Sequence, residues 1–156
     1  ENGVNALALT DDLMMPEPQD VVYAALNEVE ILKECIPGCE ELVKHADTEL
    51  EDKVVLKVGP VKAEFSGNVT LSPEAPPARL SLAGAGNGGA AGYAKGGAEV
   101  QLEAHPEGTL LRYTAKAEIG GKLAQLGSRL IQGTAKKLAA KFFSSFAEQV
   151  GDQNAG

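Results

Sequence analysis

Cys35 and Cys39, separated by Ile36-Pro37-Gly38, are the side chains best suited to redox or metal chemistry. Two thiols leave a tetrahedral zinc site half built, and neither His45 nor His105 stands at the short spacing that would complete it. Pro37 and Gly38 fit a turn from helix to strand, with the cysteines as small buried hydrophobes. Gly84-x-Gly86-x-x-Gly89 matches the spacing of a dinucleotide-binding loop. That chemistry needs a helix directly afterwards, so that phosphates meet its N-terminus, whereas the residues after Gly89 alternate as in a strand. The glycines are expected to form a bend or bulge where a sheet curls. For nucleophilic catalysis a base must lie within reach of the nucleophile, and both histidines sit beside turns with no elbow motif nearby. No paired carboxylates stand out, and most acids take the solvated parity of strands. No catalytic and no metal-ligating residues are expected.

Those residues need a scaffold, and two periodicities describe one. Leu50, Val54, Leu56 and Val58 share one parity while Glu51, Lys53 and Lys57 take the other, which predicts a strand with one wet face. Asp52 is the one exception, an acid on the apolar parity. After a Gly59-Pro60 turn, Val61, Ala63, Phe65, Gly67, Val69 and Leu71 alternate with polar residues and complete a hairpin. The pattern returns at Leu80 and Leu82, from Ala98 to Ala104 and from Leu111 to Ile119, so an antiparallel meander is expected. Pro16 to Asp20 reads as the start of a short helix with Val21, Val22, Ala25 and Leu26 as its stripe, and a second covers about residues 31–36. Leu123, Leu126, Gly127, Leu130, Ile131, Thr134, Leu138 and Phe142, at steps of three and four, predict one helix over residues 122–150, about 43 Å long. The order is strand, two short helices, about six strands, long helix. This is an α+β domain over residues 1–150, with residues 151–156 as a short flexible tail.

A chain of 156 residues, 44% hydrophobic, suits one domain with a real core. Its formal charge of -8 argues against a phosphate-tracking protein, so no nucleic-acid partner is expected. Two cysteines make no disulfide framework, and a reducing compartment follows. Between Ile119 and Ala147 stand Lys122, Arg129, Lys136, Lys137 and Lys141 with no acid, so a net -13 falls on the rest of the chain. Lys122, Arg129 and Lys136, seven apart, share a face of the predicted helix opposite Gly127, Ile131, Thr134 and Leu138. That basic face is either a solvated surface or a site for anionic lipid headgroups or an acidic partner. Gly127 and Thr134 are small where a packed helix would carry leucine. The residues alone leave open whether the sheet or a ligand comes close there.

Ile36-Pro37-Gly38-Cys39-Glu40, Val58-Gly59-Pro60-Val61-Lys62, the run from Gly88 to Gly96, and above all the run from Gly120 to Ile131 resemble the CoxG family of carbon monoxide dehydrogenase subunits. That family belongs to the START-like, helix-grip superfamily, also called SRPBCC or Bet v 1-like. The resemblance covers roughly residues 7–150. It implies a seven-stranded antiparallel sheet wrapped around the C-terminal helix, with a hydrophobic cavity lined by Phe65, Tyr93, Leu123, Gly127, Leu130, Ile131 and Thr134. Tyr93 is expected to gate the cavity rim, and Tyr93 and Tyr113 to donate hydrogen bonds to a quinone carbonyl. The function implied is a non-enzymatic accessory protein that carries a quinone or other isoprenoid or lipid, not covalently bound. Its expected partner is a CO dehydrogenase-type molybdenum hydroxylase, recruited to the membrane with Lys122, Arg129 and Lys136 as the contact surface. A cytoplasmic location, peripheral at the inner membrane face, follows from that role. Some members carry a C-terminal membrane-attaching extension, which residues up to Gly156 do not include. The alternatives are a cyclase- or hydratase-type enzyme in the same pocket and a pure protein–protein adaptor.

Overall fold

The computed structural model describes residues 4–155, with side chains as far as Asp152. Strand β1 (Val4–Met15) is followed by α1 (Gln19–Leu26) and α2 (Val29–Cys35). A meander of β2 (Cys39–Ala46), β3 (Glu49–Val58), β4 (Val61–Ala75), β5 (Arg79–Asn87), β6 (Tyr93–His105) and β7 (Gly108–Gly120) comes next. A 3-10 turn over Gly121–Leu126 then leads into α3 (Ser128–Ala155). The seven strands form one antiparallel sheet in the order β1-β7-β6-β5-β4-β3-β2. Alternation sets which face is buried: Leu80, Leu82, Gly84 and Gly86 of β5 share the inner face with their β6 partners Val100, Ala98, Gly96 and Ala94. On β7 that face carries Leu111, Tyr113, Ala115, Ala117 and Ile119. The sheet wraps α3, as the helix-grip expectation requires.

The predicted single helix over residues 122–150 is corrected in two places. Gly127 has φ +93° and ends the 3-10 turn, and its carbonyl accepts the first helical bond, from the Ile131 N–H at 3.1 Å. Gly127 is thus the N-cap of α3, a position glycine tolerates, and the i+3 spacing of Leu123 and Leu126 belongs to the 3-10 turn. At the other end α3 runs on to Ala155, so residues 151–155 continue the helix that the predicted tail was to follow. The Pro37-Gly38 turn stands as expected. Gly38 has φ +75°, and a Cβ there would lie 2.1 Å from the Val55 carbonyl oxygen. Cys35 is buried, Cys39 is half-buried and both are free thiols, with burial pushing Cys35 up to about 11. Among the described residues no group of three or more His, Cys, Asp or Glu is placed to hold a metal. After Gly84-x-Gly86-x-x-Gly89 comes a single 3-10 turn and then β6, so the helix a dinucleotide loop needs is absent there.

Candidate functional site

The sheet–helix boundary is packed at one end and hollow at the other, and side-chain size along each element explains both. Where β5, β6 and β7 carry Leu80, Val100, Leu102 and Leu111, α3 answers with Phe142, Phe143 and Phe146. Phe142 meets Phe143 edge-on at 4.9 Å and Phe146 in parallel at 5.9 Å, a contiguous aromatic filling. Farther along the same strands the inner face shrinks to Gly84, Gly86, Ala94, Gly96, Ala115 and Ala117, while α3 offers Thr134, Ala135 and Leu138. No side chain there is long enough to cross the gap. A cavity of about 470 Å³ remains, bounded by the smaller apolar cluster of Phe65, Ile119, Leu123 and Ile131. Gly88 is required for one wall, because a Cβ there would stand 2.6 Å from the Phe65 ring.

Of the eight residues expected to line the cavity or bind its ligand, Phe65, Leu123, Ile131 and Thr134 come together in this wall. The other four do not. Tyr93 has the outward parity of β6: its hydroxyl donates to Glu118 Oε2 at 2.9 Å, and its ring covers Gly120 on the outer face. It is not placed to gate the cavity. The hydrogen bond to Glu118, with burial and the carboxylate's charge behind it, raises the Tyr93 phenol. Tyr113 faces inward but stacks on Phe143 at 4.7 Å in the filled half, where burial and then Asp11 raise its phenol. Leu130 is 38% exposed and rests against the β3–β4 turn, where a Cβ on Gly59 would lie 2.8 Å from its Cδ2. Gly127, at the start of α3, also lies outside the wall. The basic face is rearranged too. Arg129 and Lys136 are exposed on α3, whereas Lys122 sits on the 3-10 turn and does not share their helix. Lys137 and Lys141 instead flank a second cleft beside Lys33 and the Cys35–Cys39 turn.

Asp52 belongs to the cavity wall and was not among the expected lining residues. Its signal was the parity exception: an acid at an inward position of an otherwise regular strand. Burial, and then the charge of Glu51, push its carboxyl above the ordinary carboxylate range. The folded chain holds this proton more tightly than the unfolded one, so the ionised form opposes folding. The stability tied to this group is fully present below the ordinary value of 3.8 and is lost as pH rises through the higher native value. Asp52→Asn should therefore raise the Tm at neutral pH, with the gain over wild type shrinking on acidification. Thermal melts from neutral pH to below pH 3.8 check this. A gain that stays constant across the range would exclude the carboxylate as its source.

A family model described as the CoxG subunit of carbon monoxide dehydrogenase matches residues 13–151. The chain belongs to the CoxG family. In three dimensions this CoxG-family chain is similar to a conserved protein from Geobacillus kaustophilus, at 26% identity and a TM-score of 0.87, covering 94% of this chain and 96% of that one. It is similar in fold to a START superfamily protein from Mycobacterium smegmatis, at 11% identity and a TM-score of 0.69, covering 95% of this chain and 98% of that one. The Zhui aromatase/cyclase from a Streptomyces species shares the fold at 10% identity and a TM-score of 0.64, covering 95% and 94%. No curated protein matches the chain. The CoxG assignment and the START-like architecture thus agree with the motifs read from the sequence. Among the described residues no helix is long and apolar enough to cross a membrane.

Proposed function

We propose that the protein is a non-enzymatic carrier whose cavity holds a hydrophobic small molecule, a quinone or other isoprenoid or lipid, on behalf of a CO dehydrogenase-type molybdenum hydroxylase. The observation that carries this reading is an apolar hollow of about 470 Å³ held open in a sheet whose other half is closely filled. A neutral ligand suits such a wall, since a charged one would give up its hydration for few replacement hydrogen bonds. The family description supports the partner, because it names a component of that enzyme. The exposed side chains of Lys122, Arg129 and Lys136 support recruitment to anionic lipid at the inner membrane face, at about 1 kcal/mol per residue near the surface.

Native mass spectrometry of the protein purified from its own host tests carriage. A retained mass of lipid or isoprenoid size is expected. An empty protein that also fails to bind an added alkyl quinone, while binding the hydroxylase, would replace the carrier with an adaptor. Co-sedimentation with anionic vesicles at low salt tests recruitment, and binding there should fall as the Debye length shortens. The cyclase reading draws on fold likeness alone, and turnover in a substrate screen would be needed to favour it.

A further inference from the structure

The cavity carries an acid in its wall that the fold does not require. On the inner face Asp52 stands beside Gly67 of β4, which has no side chain, and Leu42 of β2. Its strand neighbours Glu51 and Lys53 point outward and pair with His45 and Glu41. Asp52 is left without an ion-pair partner among the described residues. The cavity wall it belongs to is otherwise largely apolar, with Val54, Leu56, Phe65, Val69 and Leu138 among its members and Thr134 on α3 as a further polar side chain. Asp52 is half-buried in this wall and no side chain of the described residues pairs with it, so a donor brought in by a ligand, covering it from water, would supply the missing partner.

We infer that Asp52 is the polar anchor of the cavity and selects amphipathic ligands whose head carries a hydroxyl donor over ligands of the same shape whose head offers only carbonyl acceptors. This rests on the carrier reading and deepens it: of a quinone and its hydroquinone, the reduced form is the preferred cargo. An ionised carboxylate accepts hydrogen bonds and has none to donate. A phenolic O–H satisfies it with a short, charge-assisted bond, whereas a quinone carbonyl would face it lone pair to lone pair. Thr134, on the opposite wall, does not discriminate, because a hydroxyl both donates and accepts.

Titration with a decyl-substituted benzoquinone and, under reductant, with its hydroquinone tests the assignment at about pH 8, where carboxylates are ionised. Wild type should bind the hydroquinone roughly tenfold or more tightly than the quinone. Asp52→Leu should still bind the quinone and bring the ratio close to one. Asp52→Asn, nearly the same size and able both to donate and to accept, should lose the preference as well, and it serves if leucine prevents folding. Equal affinities in wild type, or a preference unchanged in the variants, overturn the anchor while the cavity reading stands, since both probes bind. Binding of neither probe to wild type overturns both.

Discussion

Gly86→Leu is expected to weaken binding of a decyl-substituted benzoquinone by roughly tenfold or more, a loss of at least about 1.4 kcal/mol, without unfolding the protein. Gly86 lies on the inner face of β5, and a Cβ built there meets only Phe65 Cβ, at an ordinary 3.7 Å. Its backbone is open to any residue, so the added side chain projects into the hollow and occupies space the ligand needs. Glycine within a strand lowers stability by roughly 0.5–1 kcal/mol relative to alanine, so the substitution should leave the Tm unchanged or raise it. Ala83→Leu is the matched control, because residue 83 has the opposite parity on the same strand and lies outside the cavity wall. Isothermal titration of the three proteins checks the expectation. Undiminished binding by Gly86→Leu would mean that the ligand sits elsewhere.

Phe146→Ala should have the largest effect on stability. Its side chain is 0% exposed and stacks on Phe142 where α3 crosses the packed half of the sheet. Removing a buried phenylalanine leaves a void that neighbours only partly refill, at about 3–5 kcal/mol. For a domain of this size that corresponds to a Tm lower by about 6–20 °C. Leu130→Ala, by contrast, removes a side chain that is 38% exposed over a turn, and should shift the Tm little. Thermal denaturation of both variants decides it, since shifts of similar size would contradict the division between a packed and a hollow half.

The architecture was legible because its signals were local and repeated. Period-two alternation from Leu50 to Leu71 and from Leu111 to Ile119 marked strands and faces, and Pro37-Gly38 marked a turn. The site was legible only in part, for reasons the same residues show. Tyr93 suggests a rim residue because it stands alone among glycines, yet Ala98, Val100 and Leu102 already assign odd positions of that strand to the outside. Tyr113 has the inward parity, but whether an inward residue meets a ligand or a phenylalanine depends on α3, far away in sequence. Leu130 and Gly127 mislead together, because leucines at steps of three suit a 3-10 turn as well as a helix and hide the break at Gly127. Asp52 was visible as an exception, and its place in a largely apolar cavity wall appeared only in three dimensions.

The uneven filling of the grip also decides how the molecule answers compression. Interiors usually match the density of organic crystals, as close filling around Phe146 would give, whereas the glycine-rich end leaves about 470 Å³ between an open mouth and an apolar wall. Water fills an apolar hollow poorly, so unfolding the ligand-free form gives up more volume than unfolding the loaded form, and hydrostatic pressure works against it more strongly. The pressure at which half the molecules unfold is then a label-free gauge of occupancy.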